Sequence, residues 1–330
     1  MGKCLETSRD HHIQTPINLL LTNLSCGKLV KILITDKIHE DGVKLLKEIA
    51  EVDIATGLDL SELLKQVGDY EVIVVRSATK VTKEVIDAGK KLKIIARAGA
   101  GLDNVDVESA KSREIKILNT PEAPTEAVAE LVIGMMLSWA RNLTRADTSM
   151  KQGEWFKSDL NGTELRGKTL GILGTGKIGR EVGRKAKAFK MELIAQDCVE
   201  VLSFSDEVNC RYCNLQKILS DSDYLTIHLP LTDETRQLIG KGEFEMMKPT
   251  AVLINTSRGE LVDENALAEA LTSGKIAGAC LDVYSHEPPV DSQLFKLSNV
   301  LLTPHIGAST REAQHEAAVL LAKKIKEEIK

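Results

Sequence analysis

The sequence predicts an α/β chain of two doubly wound parallel sheets, on three observations. Short apolar runs of strand length alternate with helix-spaced segments along most of the 330 residues, the pattern of parallel sheets covered by helices on both faces. The stretch 170–180, LGILGTGKIGR, runs from a strand-like segment straight into Gly174, Gly176 and Gly179 in G-x-G-x-x-G spacing. The alternation comes in two series, one on each side of a long helical pattern at 121–141, and a chain of this length commonly holds about two domains.

Residues 1–28 stand outside this pattern. Lys3, Glu6, Arg9, Asp10, His11 and His12 precede a short apolar patch at 17–21. The patch is too short for a secretory signal, and Glu6 stands where a myristoylation signal needs Ser or Thr. The segment reads as an extension outside the fold. The first series then places strands at 29–35 (LVKILIT), 70–75, 92–97 and 115–119, with helices at 41–50, 84–90 and 107–111. The second places strands at 169–173, 192–195, 224–228, 251–255, 277–282 and 300–303, a six-stranded sheet, with helical character at 180–191 and 265–272. A last helix covers 310–330, with Ser309 placed to cap it and Glu312 at N3. The simplest architecture inserts one domain, 121–305, into another made of 29–120 and 306–330, with crossings near 121–124 and 305–309.

Composition narrows the function. A net charge of −5 offers no basic footprint, so nucleic acid and anionic membranes are not expected partners. No apolar run approaches the roughly 20 residues that span a bilayer, and the chain reads as cytoplasmic. Cys210 and Cys213 form a C-x-x-C, but no second pair and no nearby His complete a zinc set, so no metal is expected. Whether any of the six cysteines pair stays open.

The glycine spacing has a physical meaning. The first glycine permits a tight turn, the second lets a pyrophosphate approach bare backbone, and the third lets helix and strand pack closely. The helix N-terminus then presents unpaired N–H groups to the phosphates. The segment 193–197 reads as the next strand and ends in Asp197, 18 positions after Gly179. That is close to the offset of about 20 expected for a carboxylate on the ribose hydroxyls. Cys198, Val199 and Glu200 follow, with no Arg or Lys to receive a 2′-phosphate. The cofactor predicted is NAD, bound by a Rossmann domain. Further chemistry sits at strand ends, where parallel sheets bind ligands. Arg258, in NTSRG, can grip a carboxylate with two parallel bonds. His305, in TPHIG, suits a proton carrier, and Glu287, in SHEPP, is a carboxylate that could favour its imidazolium.

With these segments in view, the chain from 29 to 330 resembles the D-isomer-specific 2-hydroxyacid dehydrogenases. GTGKIG, INTSRG, LDVYSHEPP and TPHIGAST stand in that family's order and spacing. VVRSATKVT, ARAGAGLDNVD and NGTELRGKTLGILGTGKIGREV are most similar to its phosphoglycerate-oxidising branch. The resemblance implies a flavodoxin-like substrate domain carrying an inserted NAD domain, and a homodimer formed through the latter. It implies that Arg258 orients the substrate carboxylate, that His305 is the acid–base with Glu287 its charged partner, and that Asp197 holds the adenosine ribose. It places Lys177 and Ile178 along the pyrophosphate and Asp282 near the nicotinamide amide, with Leu229, Pro230, Thr256, Ser257 and Gly307 also facing the cofactor. Ala100 replaces a threonine found in some members, and Glu260 follows Gly259 where glycine is common.

A phosphorylated 2-hydroxy acid also needs cations on the first domain. Arg76 and Arg97 each follow a strand and match positions expected to face the phosphate, while Gly99, Ala100 and Gly101 would offer backbone amides to the substrate. The reaction implied is NAD-dependent oxidation of D-3-phosphoglycerate to 3-phosphohydroxypyruvate, in serine biosynthesis. The sequence stops at Lys330, with the terminal helix, so the form expected is the short one without a C-terminal regulatory domain. Two alternatives remain, a glyoxylate or hydroxypyruvate reductase of the same family and an NAD-sensing, corepressor-like binding module.

Overall fold

Val72–Val75 is buried at every position, and so are Tyr224–Ile227, Val252–Asn255 and Gly278–Leu281. Strands without an exposed face belong inside a sheet covered on both sides. A computed structural model describes residues 30–329; the extension expected at 1–28 lies outside the described residues. The first sheet contains β1 (Lys31–Ile34), β2 (Glu51–Ile54), β3 (Val72–Val75), β4 (Ile94–Arg97) and β5 (Lys116–Asn119). The second contains β6 (Thr169–Leu173), β7 (Glu192–Gln196), β8 (Cys210–Tyr212), β9 (Tyr224–Ile227), β10 (Val252–Asn255), β11 (Gly278–Leu281) and β12 (Val300–Leu302). The helices are α1 (Glu40–Lys47), α2 (Leu60–Gln66), α3 (Lys83–Ala88), α4 (Val107–Ser112), α5 (Thr125–Ala140) and α6 (Leu143–Lys151). They continue with α7 (Lys177–Ala188), α8 (Leu202–Val208), α9 (Leu215–Asp221), α10 (Lys241–Met246), α11 (Glu264–Thr272) and α12 (Arg311–Glu328).

All pairings in both sheets are parallel, as the alternation predicts. The strand orders are β2-β1-β3-β4-β5 and β12-β11-β10-β9-β6-β7-β8. Each order reverses once, between β1 and β3 and between β6 and β9, and such reversals open a crevice at the carboxyl ends of the strands. Each sheet has an apolar cluster on either face. Ala317, Leu321, Ala322 and Ile325 of α12 pack with Ile32, Ile34, Val72 and Val74 of the first sheet.

Four expectations need correction. The first series holds five strands, because β2 (EVDI) is a mostly exposed edge strand whose Glu51 and Asp53 hide it among loop residues. The second sheet holds seven strands rather than six, the addition being β8, a three-residue edge. The glycine-loop helix begins at Lys177 with Gly176 as its N-cap, so Gly179 lies within its first turn. The last helix is capped by Thr310, whose hydroxyl accepts from Ala313 N–H at 3.1 Å; Ser309 instead donates its own N–H to the Ile306 carbonyl at 2.8 Å, closing the preceding turn.

Glu122, in the crossing from β5 to α5, accepts from Lys177 Nζ at 2.8 Å and Lys324 Nζ at 3.3 Å, tying the start of α7 to α12. The Lys177 hydrogen bond above all holds the Glu122 carboxyl down to about 2, from an ordinary 4.5. A depressed carboxyl contributes stability that is fully present above its unfolded value and is lost as pH falls through its folded value. Exposure of these side chains keeps the contribution small. Glu122→Gln is therefore expected to lower Tm by a constant small amount at any pH above about 5. The gap to the parent should close between pH 4.5 and about 2. Thermal denaturation across that range checks this, and a gap independent of pH would mean the ion pairs contribute nothing.

Candidate active site

The glycine loop leaves β6 at the reversal of the second sheet. Gly174 has φ +93°, and a Cβ there would lie 2.7 Å from the His228 carbonyl oxygen, so the turn needs glycine. A Cβ on Gly179 would collide with the Gly174 carbonyl, whereas one on Gly176 would meet nothing within 4 Å. Gly174 and Gly179 thus serve turn and packing, and Gly176 leaves an open face beside the N-terminus of α7, a cradle that fits a dinucleotide pyrophosphate. Ile178 packs its side chain on the core, leaving its backbone for the loop, and Lys177 is turned to Glu122.

Asp197 follows β7 and braces this loop. Its Oδ2 accepts from Thr175 N–H at 2.5 Å and Thr175 Oγ1 at 3.1 Å, and its Oδ1 from Val199 N–H at 3.2 Å. Burial would raise its carboxyl, but the backbone donors of Thr175 and Val199 hold it below the ordinary range. Leu229 and Pro230 follow β9, and Ser257 Oγ donates to the Leu229 carbonyl at 2.6 Å. Thr256 Oγ1 is buried at the same edge without a hydrogen-bond partner among the described residues.

His305 Nδ1 lies 2.7 Å from Glu287 Oε2. This leaves Nε2 as the ring atom free to face a substrate. The loop carrying His305 is fixed from beneath by Asp282, which is fully buried. Asp282 accepts from Thr303 Oγ1 at 2.6 Å, Ile306 N–H at 2.8 Å and Gly307 N–H at 2.7 Å. Tyr284 Oη adds a bond to the Thr303 carbonyl at 2.9 Å. A second histidine at a strand end, His228, meets Thr226 Oγ1 at 2.9 Å, and burial pushes its imidazole down, so it is neutral.

Arg258 reaches across to the first sheet. Its Nε and Nη2 donate to the two carboxylate oxygens of Asp103 at 2.9 and 2.7 Å, and Nη1 donates to the Ser257 carbonyl at 2.6 Å. Gly259 lets this segment press against the Tyr284–Ser285 peptide, where a Cβ would clash. A guanidinium has five N–H groups. The Asp103 fork occupies the Nε side, so the outward edge of Nη1 and Nη2 still holds one N–H from each. Asp103 was not legible as a site residue, although it lies in the glycine-containing segment that carries Gly99 and Gly101. Burial would raise its carboxyl, but the Arg258 bonds keep it below the ordinary range.

Arg97 donates Nε to the Arg76 carbonyl at 3.2 Å and lies over Gly99, whose φ of +148° and crowded Cβ position require glycine. Burial first, then the charges of Arg258 and Arg76, push the Arg97 guanidinium below its ordinary value. Three arginines therefore share one electrostatic neighbourhood. Asp36, also missed from sequence, lies just after β1 at the reversal of the first sheet. It accepts the Arg76 N–H at 2.6 Å and the Thr79 hydroxyl at 2.7 Å, which fixes the backbone from which Arg76 projects.

Residues 133–307 match the family described as D-isomer specific 2-hydroxyacid dehydrogenase, NAD binding domain. The chain belongs to this family. It is 47% identical over 299 residues to a D-3-phosphoglycerate dehydrogenase of Methanocaldococcus jannaschii, covering 90% of this chain and 57% of that one. It is 45% identical over 300 residues to a hydroxypyruvate reductase of Thermotoga maritima, covering 90% of this chain and 97% of that one. The chain thus spans little more than half the length of the phosphoglycerate dehydrogenases it matches, 57% and 54% for two of them. The crystal structure of a glyoxylate reductase from Paecilomyes thermophila superposes with a TM-score of 0.84 at 34% identity, covering 92% of this chain and 96% of that one. The cofactor of this domain family is NAD, which agrees with the glycine loop and the acidic end of β7. Among the described residues no helix is long and apolar enough to cross a membrane.

Two glycine variants separate cradle from scaffold. Gly176→Val should leave the Tm close to the parent's, because its Cβ meets open space. It should weaken NAD by roughly tenfold or more, about 1.4 kcal/mol or above, by filling the approach to the loop. Gly179→Val should instead lower the Tm, since its side chain collides with the Gly174 carbonyl. Calorimetric NAD titration and thermal denaturation of both variants check the assignment.

Proposed function

We propose that the chain oxidises D-3-phosphoglycerate to 3-phosphohydroxypyruvate with NAD, the segments 29–120 and 306–330 forming the substrate domain and 121–305 the NAD domain. The observation supporting this reading is that Arg97 donates to the Arg76 carbonyl and lies over Gly99, while Arg258 lies over Gly101 two residues on. A monocarboxylate needs one such cation, whereas a carboxylate and a phosphate on one small molecule call for more. Arginine suits both groups because its planar fork matches their paired oxygens.

In this reading the outward edge of Arg258 holds the substrate carboxylate, and Arg76 and Arg97 meet the phosphate. The amides of Ala100 and Gly101 would line the same end; the Gly99 N–H, expected there too, is instead donated to Thr120 Oγ1 at 2.9 Å. Neutral His305 takes the hydroxyl proton at Nε2, and Glu287 at Nδ1 holds the ring and stabilises the imidazolium that forms. NAD, when bound, supplies the hydride acceptor. Asp197 would face the ribose, Asp282 the region of the nicotinamide amide, and Leu229, Pro230, Thr256, Ser257 and Gly307 the rest of the cofactor. Asp103 positions Arg258 without touching substrate. Exposed Leu143, Met150 and Trp155 would meet a second copy of the chain.

A second reading, reduction of hydroxypyruvate or glyoxylate, is favoured by the Thermotoga maritima relative, which this chain covers nearly end to end. One kinetic comparison divides the two. Arg76→Ala should raise KM for 3-phosphoglycerate by ten- to a hundredfold, since a charge-assisted hydrogen bond is worth roughly 1.5–3 kcal/mol, and should leave glyoxylate reduction nearly unchanged. Equal losses on both substrates would make Arg76 structural, and a parent that prefers glyoxylate would decide for the reductase.

His305→Gln should lower kcat by about 10²–10⁴-fold while NAD affinity holds, the range for loss of a general acid–base. Asp103→Asn should reduce kcat/KM on either substrate by roughly tenfold, about 1.4 kcal/mol, with NAD affinity intact and partial recovery in Asp103→Glu. A parent-like Asp103→Asn enzyme would reduce the fork to a surface ion pair.

A further inference from the structure

α1 and α12 lie against each other at close range, and His39 at the start of α1 shares a small cavity with Arg76. Gly42 of α1 makes the close packing possible, since a Cβ there would sit 2.6 Å from the Ala318 Cβ. One turn from that contact on each helix, the packing brings together His39, the N-cap of α1, Asp41 in its first turn, and His315 of α12. Asp41 Oδ2 lies 3.6 Å from His39 Nδ1 and 3.3 Å from His315 Nε2. One donor atom from each of the three residues falls within 4.8 Å of the others. The imidazoles stand edge to face with centroids 4.8 Å apart.

We propose that His39, Asp41 and His315 bind a divalent transition metal of the zinc type, joining α1 to α12. Ligands at 2.0–2.2 Å around a tetrahedral ion stand about 3.4 Å from one another, and two of the three edges here already have that length. Two imidazoles and one carboxylate select a borderline ion such as Zn²⁺ or Co²⁺ over Mg²⁺ or Ca²⁺, which take oxygen ligands. The fourth vertex faces solvent and takes water. Lys44 Nζ binds the other oxygen of Asp41, Oδ1, at 3.0 Å. Oδ2 is left between the two rings. His39 Nδ1 now accepts the Asp41 N–H at 3.3 Å, a long bond that the metal would replace. Because α12 follows the second sheet and α1 belongs to the first series, the ligands stand at opposite ends of the described chain, and no local spacing announces them.

The test is Zn²⁺ titration of the full chain, stripped by chelator, against a chromophoric competitor, with Co²⁺ absorption as a second probe. The parent should bind one equivalent more tightly than His315→Gln and Asp41→Asn by tenfold or more, and saturating Zn²⁺ should raise its Tm by roughly 3–6 °C, an increment absent from both variants. Sites contributed by His11, His12 or the cysteines would be common to all three proteins and cancel in the comparison. Lys44→Gln removes a competing cation and should retain or tighten the site. Identical titrations and identical Zn²⁺-induced Tm shifts in the parent, His315→Gln and Asp41→Asn would overturn the proposal, as would an octahedral Co²⁺ spectrum unchanged by the substitutions.

Discussion

The buried carboxylate of Asp282 is the constraint on which the candidate site depends. Leaving a charge in the interior without partners costs several kcal/mol, and this one is satisfied by Thr303 Oγ1 and the backbone N–H groups of Ile306 and Gly307. Those donors belong to the loop that carries His305. The loop cannot move away without stranding the charge, so the imidazole is held where Glu287 reaches it at 2.7 Å. Asp282 itself is held by β11, whose neighbours on both sides are paired strands. Rigidity thus passes from the sheet to a buried carboxylate, and from it to the His305 ring.

Electrostatics organise the opposite wall of the cleft in the same way. Arg258 would be free to swing if it had only solvent around it. The Asp103 fork and the Ser257 carbonyl fix three of its N–H groups and leave its outward edge directed. Burial above all, and then repulsion from Arg258 and Arg76, lowers the Arg97 guanidinium. In the proposed function a doubly anionic ligand would relieve that repulsion, and the discrimination against a single carboxylate would come from repulsion as much as attraction.

Both sheets place chemistry at the carboxyl ends of their strands, and each does so where its strand order reverses. At the reversal of the second sheet lies the glycine loop, shaped by three residues with separate steric duties. At the reversal of the first lies the Asp36–Arg76 pair, with Asp36 holding the Arg76 backbone at 2.6 Å. The two crevices are joined by the Arg258–Asp103 contact, and the crossing near Glu122 binds α7 to α12 behind them.

The α/β class, the glycine loop followed by Asp197, and the candidates Arg258, Glu287 and His305 were legible in the sequence, because each is carried by local order: apolar runs of strand length, a fixed glycine spacing, charged residues soon after strands. The sequence did not determine β2 and β8, since an edge strand has one neighbour and an exposed face and so lacks the apolar run that marks a buried one. It placed the last cap one residue early, because Ser309 and Thr310 are chemically alike and only the turn closed on Ile306 decides between them. Asp103, Asp36 and the His39–Asp41–His315 cluster were decided by tertiary structure alone. Their partners lie far away in the chain, and their roles arise from which strand ends and helix faces the folding brings together. A residue type at a spacing can announce a loop, but a contact between two sheets exists only once both have been built.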